Sequence, residues 1–261
     1  MNYSQKKESG WKVTTERYVA FLDIMGFKDM VARNSNNYVY NIMRKVVEAA
    51  QVSAERFGID DSSDKIIDNV RVTTYSDSIM IYSRNASPKS LYNFNAVSAA
   101  IYEELLINEI PFKGAVAFGL MTLDFNSSIY FGQPLIDAYL LQEELLFYGI
   151  VVHASAEMNK GYKRNESVFE YPCPFKNGKS SHLTIYPVSL LIDYLAGVDD
   201  YQKIRNGVLK LRLKTSGALR KYVDNTLEYL DLVYKEWKLI IDKNNEIRKN
   251  QQFNKNEDLP F

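Results

Sequence analysis

The sequence predicts an α+β fold, with an antiparallel-rich sheet, helices on one face and further helices at the C-terminal end. Three observations predict it. An apolar run over residues 17 to 23 leads into helical periodicity. A β-branched hairpin at 69 to 83 leads into a second helical stripe. A Gly-punctuated apolar stretch at 111 to 124 then completes a strand–helix–strand–strand–helix–strand order.

Each element has its own signal. Residues 17 to 23, Arg-Tyr-Val-Ala-Phe-Leu-Asp, read as a buried strand. From 37 to 57, Val39, Ile42, Met43, Val46 and Ala50 recur at helical spacing. Residues 60 to 65, "DDSSDK", read as a loop. In "NVRVTTYSDSIMIYS", Val70, Val72, Ile79 and Ile81 alternate with period two about a Ser76-Asp77 turn, leaving Met80 and Tyr82 to a packed surface. Ser87-Pro88 opens a helix whose stripe is Leu91, Phe94, Val97, Ile101 and Leu105. After the strand at 111 to 124, "SSIYFG" returns beside it, 133 to 146 is helical and 149 to 155 is a strand. This order contains the split βαβ, ferredoxin-like layout, whose first strand is expected beside the strand that follows the first helix. Beyond 156 come short strands around Lys176-Asn177-Gly178, then helix from 200 to 247 interrupted near Ser216-Gly217, then a polar tail read as disordered.

Bulk properties narrow the chemistry. Lys plus Arg number 32, as do Asp plus Glu, so no net field draws the chain to nucleic acid or an anionic membrane. One cysteine, Cys173, excludes an internal disulfide and suits a cytoplasmic protein. With His153 and His182 the only histidines, a zinc site is disfavoured; all three residues read as structural. A metal here would be a hard cation on carboxylates. No stretch reaches the roughly 18 apolar residues of a membrane span, and "MNYSQKKESGWKVTTE" lacks a signal-peptide core.

Two carboxylates stand out. Asp23 ends the first strand and Asp77 sits in the hairpin turn, so both are expected at one edge of the sheet. Asp, Ser and Gly are also ordinary turn formers, which leaves a purely structural reading open. The chemical reading is a two-metal phosphoryl-transfer site with ions roughly 3.5–4 Å apart. Gly26 would let the backbone approach a triphosphate, and the N–H groups entering the next helix, from Phe27 onward, would face its oxygens.

"FLDIMGF" followed by "TTYSDSIMIY" resembles the two metal-binding segments of class III nucleotidyl cyclases. "FKGAVAFG" and "FGQPLIDAYLLQEELL" resemble that family's later strand and following helix. The likeness covers residues 17 to 155. Within the family it is similar to the uridylate cyclases among the pyrimidine cyclases of bacterial Pycsar anti-phage systems. These carry a Tyr-x-x-x-Arg pattern soon after the first metal Asp; here Tyr40 to Arg44 reads "YNIMR". A second copy, "YQKIR", spans Tyr201 to Arg205, so position alone gives the first copy weight. At about 100° per residue, Tyr40 and Arg44 lie together beside the apolar stripe of their helix rather than in it.

The resemblance implies a nucleotidyl cyclase core at 17–155, preceded by a polar segment at 1–16 and followed by an elaboration at 156–247 packed on the core and a tail at 248–261. It implies two Mn²⁺ or Mg²⁺ ions on Asp23 and Asp77, with the Ile24 carbonyl as a further ligand. Gly26 and Phe27 amides would hold phosphate, Arg44 would offset developing charge, and Tyr40 would line the base pocket. It also implies a homodimer with sites at the interface, UTP as substrate, cyclic UMP as product and a separate effector that senses it. The chain departs from purine cyclases where they place an Asn and an Arg: those positions carry Ile136 and Leu140, which offer no donor. Arg44 is the expected substitute and Lys113 a second candidate. A cyclase for CTP, ATP or GTP, or a silent nucleotide-binding or dimerisation module, are the alternatives.

Overall fold

The computed structural model describes residues 11–57, 69–159, 162, 168–187 and 200–257. The loop read at 60 to 65 lies outside them. The core opens with β1 (Thr14–Ile24), a short α1 (Phe27–Arg33) and α2 (Asn36–Phe57), then the hairpin β2 (Val70–Tyr75) and β3 (Ser78–Ser83). Next come α3 (Pro88–Ile107), β4 (Phe112–Asp124), β5 (Ile129–Gly132), α4 (Gln133–Glu143), β6 (Ile150–Val152) and α5 (Ala154–Glu157). The chain continues through β7 (Val168–Phe175) and β8 (Gly178–Ile185) to α6 (Asp200–Lys214) and α7 (Arg220–Glu257).

The strands form one sheet in the order β2-β3-β1-β4-β6-β8-β7, with β5 paired to the far end of β4. Pairing is antiparallel throughout except between β4 and β6. The order β2-β3-β1-β4 is that of the split βαβ layout, as expected, with one correction. The neighbour of β1 is β3, not β2, because β3 enters between the two parallel strands of the split unit. That placement brings the β2–β3 turn onto the end of β1.

Packing follows the periodicities. The α3 stripe of Leu91, Phe94, Val97, Ile101 and Leu105 is buried along its whole length. Ser87 caps α3, its side chain accepting from the Ser90 N–H, with Pro88 in the first turn. On α2, Val46 and Ala50 are buried while Val39, Ile42 and Met43 are half-buried. Tyr18 meets Phe94 of α3 at a ring distance of 6.0 Å, which marks the face covered by α2 and α3. Phe21, of opposite parity on β1, meets Tyr139 of α4 at 5.4 Å. Helices therefore cover both faces, not one.

The sheet does not stop at residue 155, since β7 and β8 extend it beyond β6. The long α7 is fastened there: Tyr229 Oη lies 2.9 Å from Thr184 Oγ1, and the Tyr148 N–H donates to Thr226 Oγ1 at 2.8 Å. α6 lies against α3 so closely that a Cβ at Gly207 would overlap the Leu106 carbonyl. The backbone of α7 runs on to Glu257, so most of the stretch read as a disordered tail is helical.

Candidate active site

Asp23 projects from the face of the sheet that carries Phe21 and α4. On that face its direct cross-strand neighbours are Ser78 of β3 and Lys113 of β4. One residue on, the Ile24 N–H donates to the Asp77 carbonyl at 2.8 Å, and the Met25 N–H donates to the Pro111 carbonyl at 2.8 Å. These two bonds hold the end of β1 between the β2–β3 turn and the start of β4. Ser76, with φ 56°, supplies the left-handed residue that the turn needs. Asp23 and Asp77, 54 positions apart by their numbering, thus sit together at one end of the sheet.

Electrostatics agree with that proximity. Asp23 is half-buried, and burial pushes its carboxyl above the usual aspartate range. Lys113 pulls the other way, while Asp77 and Glu143 add to the rise. Lys113 is itself only 6% exposed, and its Nζ stands 3.6 Å from Glu143 Oε1 at the end of α4. Asp23 is therefore acted on by one ammonium and by two further carboxylates, Asp77 of the β2–β3 turn and Glu143 of α4.

After Asp23 the chain turns into α1 through Gly26, whose φ is 73°. A Cβ there would have nothing within 4 Å, so the backbone is open to a ligand on that side. The Gly26 carbonyl accepts from the Met30 N–H at 3.0 Å, and no side chain caps the first turn of α1. Its opening N–H groups, beginning with Phe27, have no partner within the helix.

Tyr40 and Arg44 do not join this cluster within the chain. Tyr40 is 63% exposed on α2, and Arg44 Nε pairs with Glu48 Oε1 one turn along at 3.0 Å. The charges acting on Asp23 are Lys113, Asp77 and Glu143, and Arg44 is not among them. On α4, Ile136 and Leu140 are exposed at 51% and 57%, as is Tyr139 between them. Leu120, Ile129 and Phe131 are likewise exposed on the β4–β5 hairpin.

Neither a protein-family model nor a curated protein matches the sequence. Solved structures that resemble it include the guanylate cyclase domain of RhGC from Catenaria anguillulae in complex with GTP, 16% identical, with a TM-score of 0.48, covering 66% of this chain and 97% of that one. A bacterial light-regulated adenylyl cyclase is 13% identical with a TM-score of 0.45, covering 74% and 98%. A class III adenylyl cyclase-like ATP-binding protein from Pseudomonas aeruginosa is 11% identical with a TM-score of 0.35, covering 88% and 44%.

The remaining titratable candidates serve the fold. His153 caps α5, its Nδ1 accepting from the Ser155 N–H at 3.2 Å. His182 Nδ1 lies 3.1 Å from the Val152 carbonyl and 3.3 Å from Glu157 Oε1. The buried Cys173 thiol is pushed up to about 12 by desolvation, which leaves it inert at neutral pH. Met80 and Tyr82 pack with Val19, Met121 and Leu123 in a small second core. Sequence reading did not single out Glu143. Its tie to Lys113 links residues 30 positions apart by number, and only the β1–β4 register with α4 above it brings them together.

Among the described residues no helix is long and apolar enough to cross a membrane, and no three His, Cys, Asp or Glu side chains cluster as a ready metal cage. Two carboxylates are nevertheless a suitable donor set for Mg²⁺ or Mn²⁺, which take the rest of their shell from backbone carbonyls, waters and substrate phosphates. The excess of carboxylates over ammonium around Asp23 fits a divalent cation.

Proposed function

We propose that the protein is a nucleotidyl cyclase that converts UTP to 3′,5′-cyclic UMP and pyrophosphate. The observation that carries this reading is the meeting of Asp23 and Asp77 at one sheet end, beside an open, left-handed Gly26 and the uncapped first turn of α1. Uridylate specificity rests on the resemblance to Pycsar uridylate cyclases, and is supported by Tyr40 being exposed and Arg44 pairing only with Glu48 of its own helix among the described residues. On that reading cyclic UMP is a second messenger in anti-phage defence, sensed by a separate effector.

Asp23, Asp77 and the Ile24 carbonyl would hold two divalent cations. Bound there, the cations lower the pKa of the attacking hydroxyl and offset charge on the phosphates. The ribose 3′-oxygen attacks the α-phosphorus, the bond to the bridging oxygen of pyrophosphate breaks, and the hydroxyl proton passes to water. Gly26 and Phe27 N–H groups receive phosphate oxygens. The Arg44 guanidinium, with five fixed donors, stabilises the charge that develops on the transferring phosphoryl group. The Tyr40 hydroxyl donates to a uracil carbonyl, and its ring narrows the pocket.

Because Arg44 and Tyr40 stand apart from Asp23 within one chain, the reading includes a homodimer in which each pair acts on nucleotide held by the partner's carboxylates. The apolar groups at Ile136, Tyr139 and Leu140, and at Leu120, Ile129 and Phe131, are the surface such a dimer would cover.

Incubation of purified protein with ATP, GTP, CTP and UTP plus Mn²⁺, read by mass spectrometry with Asp77→Ala as control, tests the reading. Cyclic UMP that disappears in the variant is expected. Cyclic AMP or GMP would keep a cyclase and overturn the pyrimidine choice. The exposed aliphatics at 136 and 140, where purine cyclases use Asn and Arg, favour a second reading as a silent nucleotide-binding module. Nucleotide binding without any pyrophosphate release would establish that alternative.

A further inference from the structure

Lys113 is in an unusual position for an ammonium. It is almost wholly buried, directly across the β1–β4 ladder from Asp23 and on the same face. Cross-strand neighbours in such a register have Cβ atoms about 4.5–5.5 Å apart, within easy reach of a lysine stem. Yet its ion pair is not with Asp23. Nζ stands 3.6 Å from Glu143 Oε1, at the last residue of α4. Two features favour that choice. Glu143 is a full negative charge, and the C-terminal end of a helix adds a partial one that attracts cations. A buried ammonium must be paired, and here two carboxylates compete for it.

We propose that Glu143 is a positioning residue that draws the Lys113 ammonium away from Asp23, leaving the Asp23–Asp77 pair free for a divalent cation. This rests on the two-carboxylate reading of the site given above. Without Glu143, the carboxylate directly across the ladder, Asp23, is left to pair the ammonium, which closes onto it. Lys113 then occupies the place a metal would take. With Glu143 present, Lys113 still favours the ionised form of Asp23 from a distance, as its effect on that carboxyl indicates. The α4 end thereby sets the metal affinity of a carboxylate on β1 without touching the metal.

The test is Mn²⁺ binding to the full chain without nucleotide, measured by electron paramagnetic resonance of free Mn²⁺. Wild type, Glu143→Gln, Lys113→Met and the double variant form a cycle. Glu143→Gln is expected to weaken Mn²⁺ binding roughly tenfold, as an ammonium in contact with Asp23 would. Lys113→Met should restore binding in that background to at least the wild-type level, and Glu143→Gln should then have little effect. If Glu143→Gln weakens binding equally with and without Lys113, the two act as independent charges and the proposal fails. Unchanged binding in Glu143→Gln, or no Mn²⁺ binding by wild type, overturns it too.

Should Lys113→Met not fold, a crystal structure of Glu143→Gln decides. Nζ within hydrogen-bond distance of Asp23 supports the proposal, and Nζ still directed at residue 143 overturns it. The outcome is separable from the cyclase reading. A coupled cycle without any cyclic nucleotide keeps the positioning role and removes the activity, whereas active protein with an additive cycle does the reverse.

Discussion

The chain writes Tyr-x-x-x-Arg twice, and the two copies have opposite fates. At Tyr201 and Arg205 the tyrosine hydroxyl and the guanidinium both converge on Asp231 of α7, with Arg205 Nε 3.0 Å from Oδ1. The Tyr201 ring also stacks on Tyr234 with centroids 4.0 Å apart and planes 9° from parallel. This copy is a clamp between α6 and α7. At Tyr40 and Arg44 the same spacing on α2 has no clamp of this kind among the described residues: the tyrosine is exposed, and the arginine pairs with Glu48 of its own helix. The lesson is that i, i+4 spacing makes the pair, while the element opposite decides whether it locks a fold or stays available to a ligand.

Substitutions sharpen the contrast. Arg44→Ala should lower the cyclisation rate roughly 10²–10³-fold, as for loss of one charge-stabilising donor. Its unfolding free energy should move by less than about 0.5 kcal/mol, since an exposed helical ion pair contributes little. Nucleotide turnover and urea unfolding on the same preparation check both. Arg205→Ala should do the reverse. It should cost about 1–2 kcal/mol by leaving Asp231 with one partner fewer, with activity per folded molecule unchanged. A stable Arg205→Ala that loses turnover would mean that this pair serves the reaction and not only the fold.

Smaller effects come next. Tyr40→Phe removes one hydroxyl and should reduce discrimination for uracil by roughly two- to tenfold, the worth of one hydrogen bond, visible as a change in UTP over ATP turnover ratio. Asp23 supplies a pH test. Because burial, Asp77 and Glu143 together raise its carboxyl against the pull of Lys113, the folded protein takes up this proton at higher pH than an ordinary aspartate. The ionised form therefore costs stability at neutral pH, a cost relieved as pH falls through the raised pKa. Asp23→Asn should be slightly more stable than wild type at pH 7 without metal, with the advantage vanishing in acid. Thermal unfolding at the two pH values measures it. Mn²⁺ binding by wild type should weaken over the same acid range.

Much of this was legible in the residues. Alternation about Ser76-Asp77 specifies the hairpin, and the apolar run ending at Asp23 specifies β1, so the residue pattern alone puts the two carboxylates at one sheet edge. The order β3 between β1 and β2 was not legible, because alternation marks strands without naming their neighbours. The second helical face is not legible because α4 presents apolar residues on more than one side. Ala138 is buried, while Ile136, Tyr139 and Leu140 are exposed, so no single stripe pointed to the sheet. The far end of α7 carries few apolar residues, and polarity there read as a tail although the backbone is helical. Which Tyr-x-x-x-Arg copy is free, and that Lys113 leans toward Glu143, depend on contacts between distant elements that no local pattern encodes.

Mixing two inactive variants tests most directly whether the Tyr40–Arg44 pair acts across a two-fold interface. Asp77→Ala keeps Tyr40 and Arg44, and Arg44→Ala keeps both carboxylates. In a symmetric dimer their heterodimer rebuilds one intact site of two, so equal mixing after dissociation and reassociation should restore about a quarter of wild-type turnover. A mixture as inactive as its components, with heterodimers demonstrated by mass spectrometry, would contradict the account.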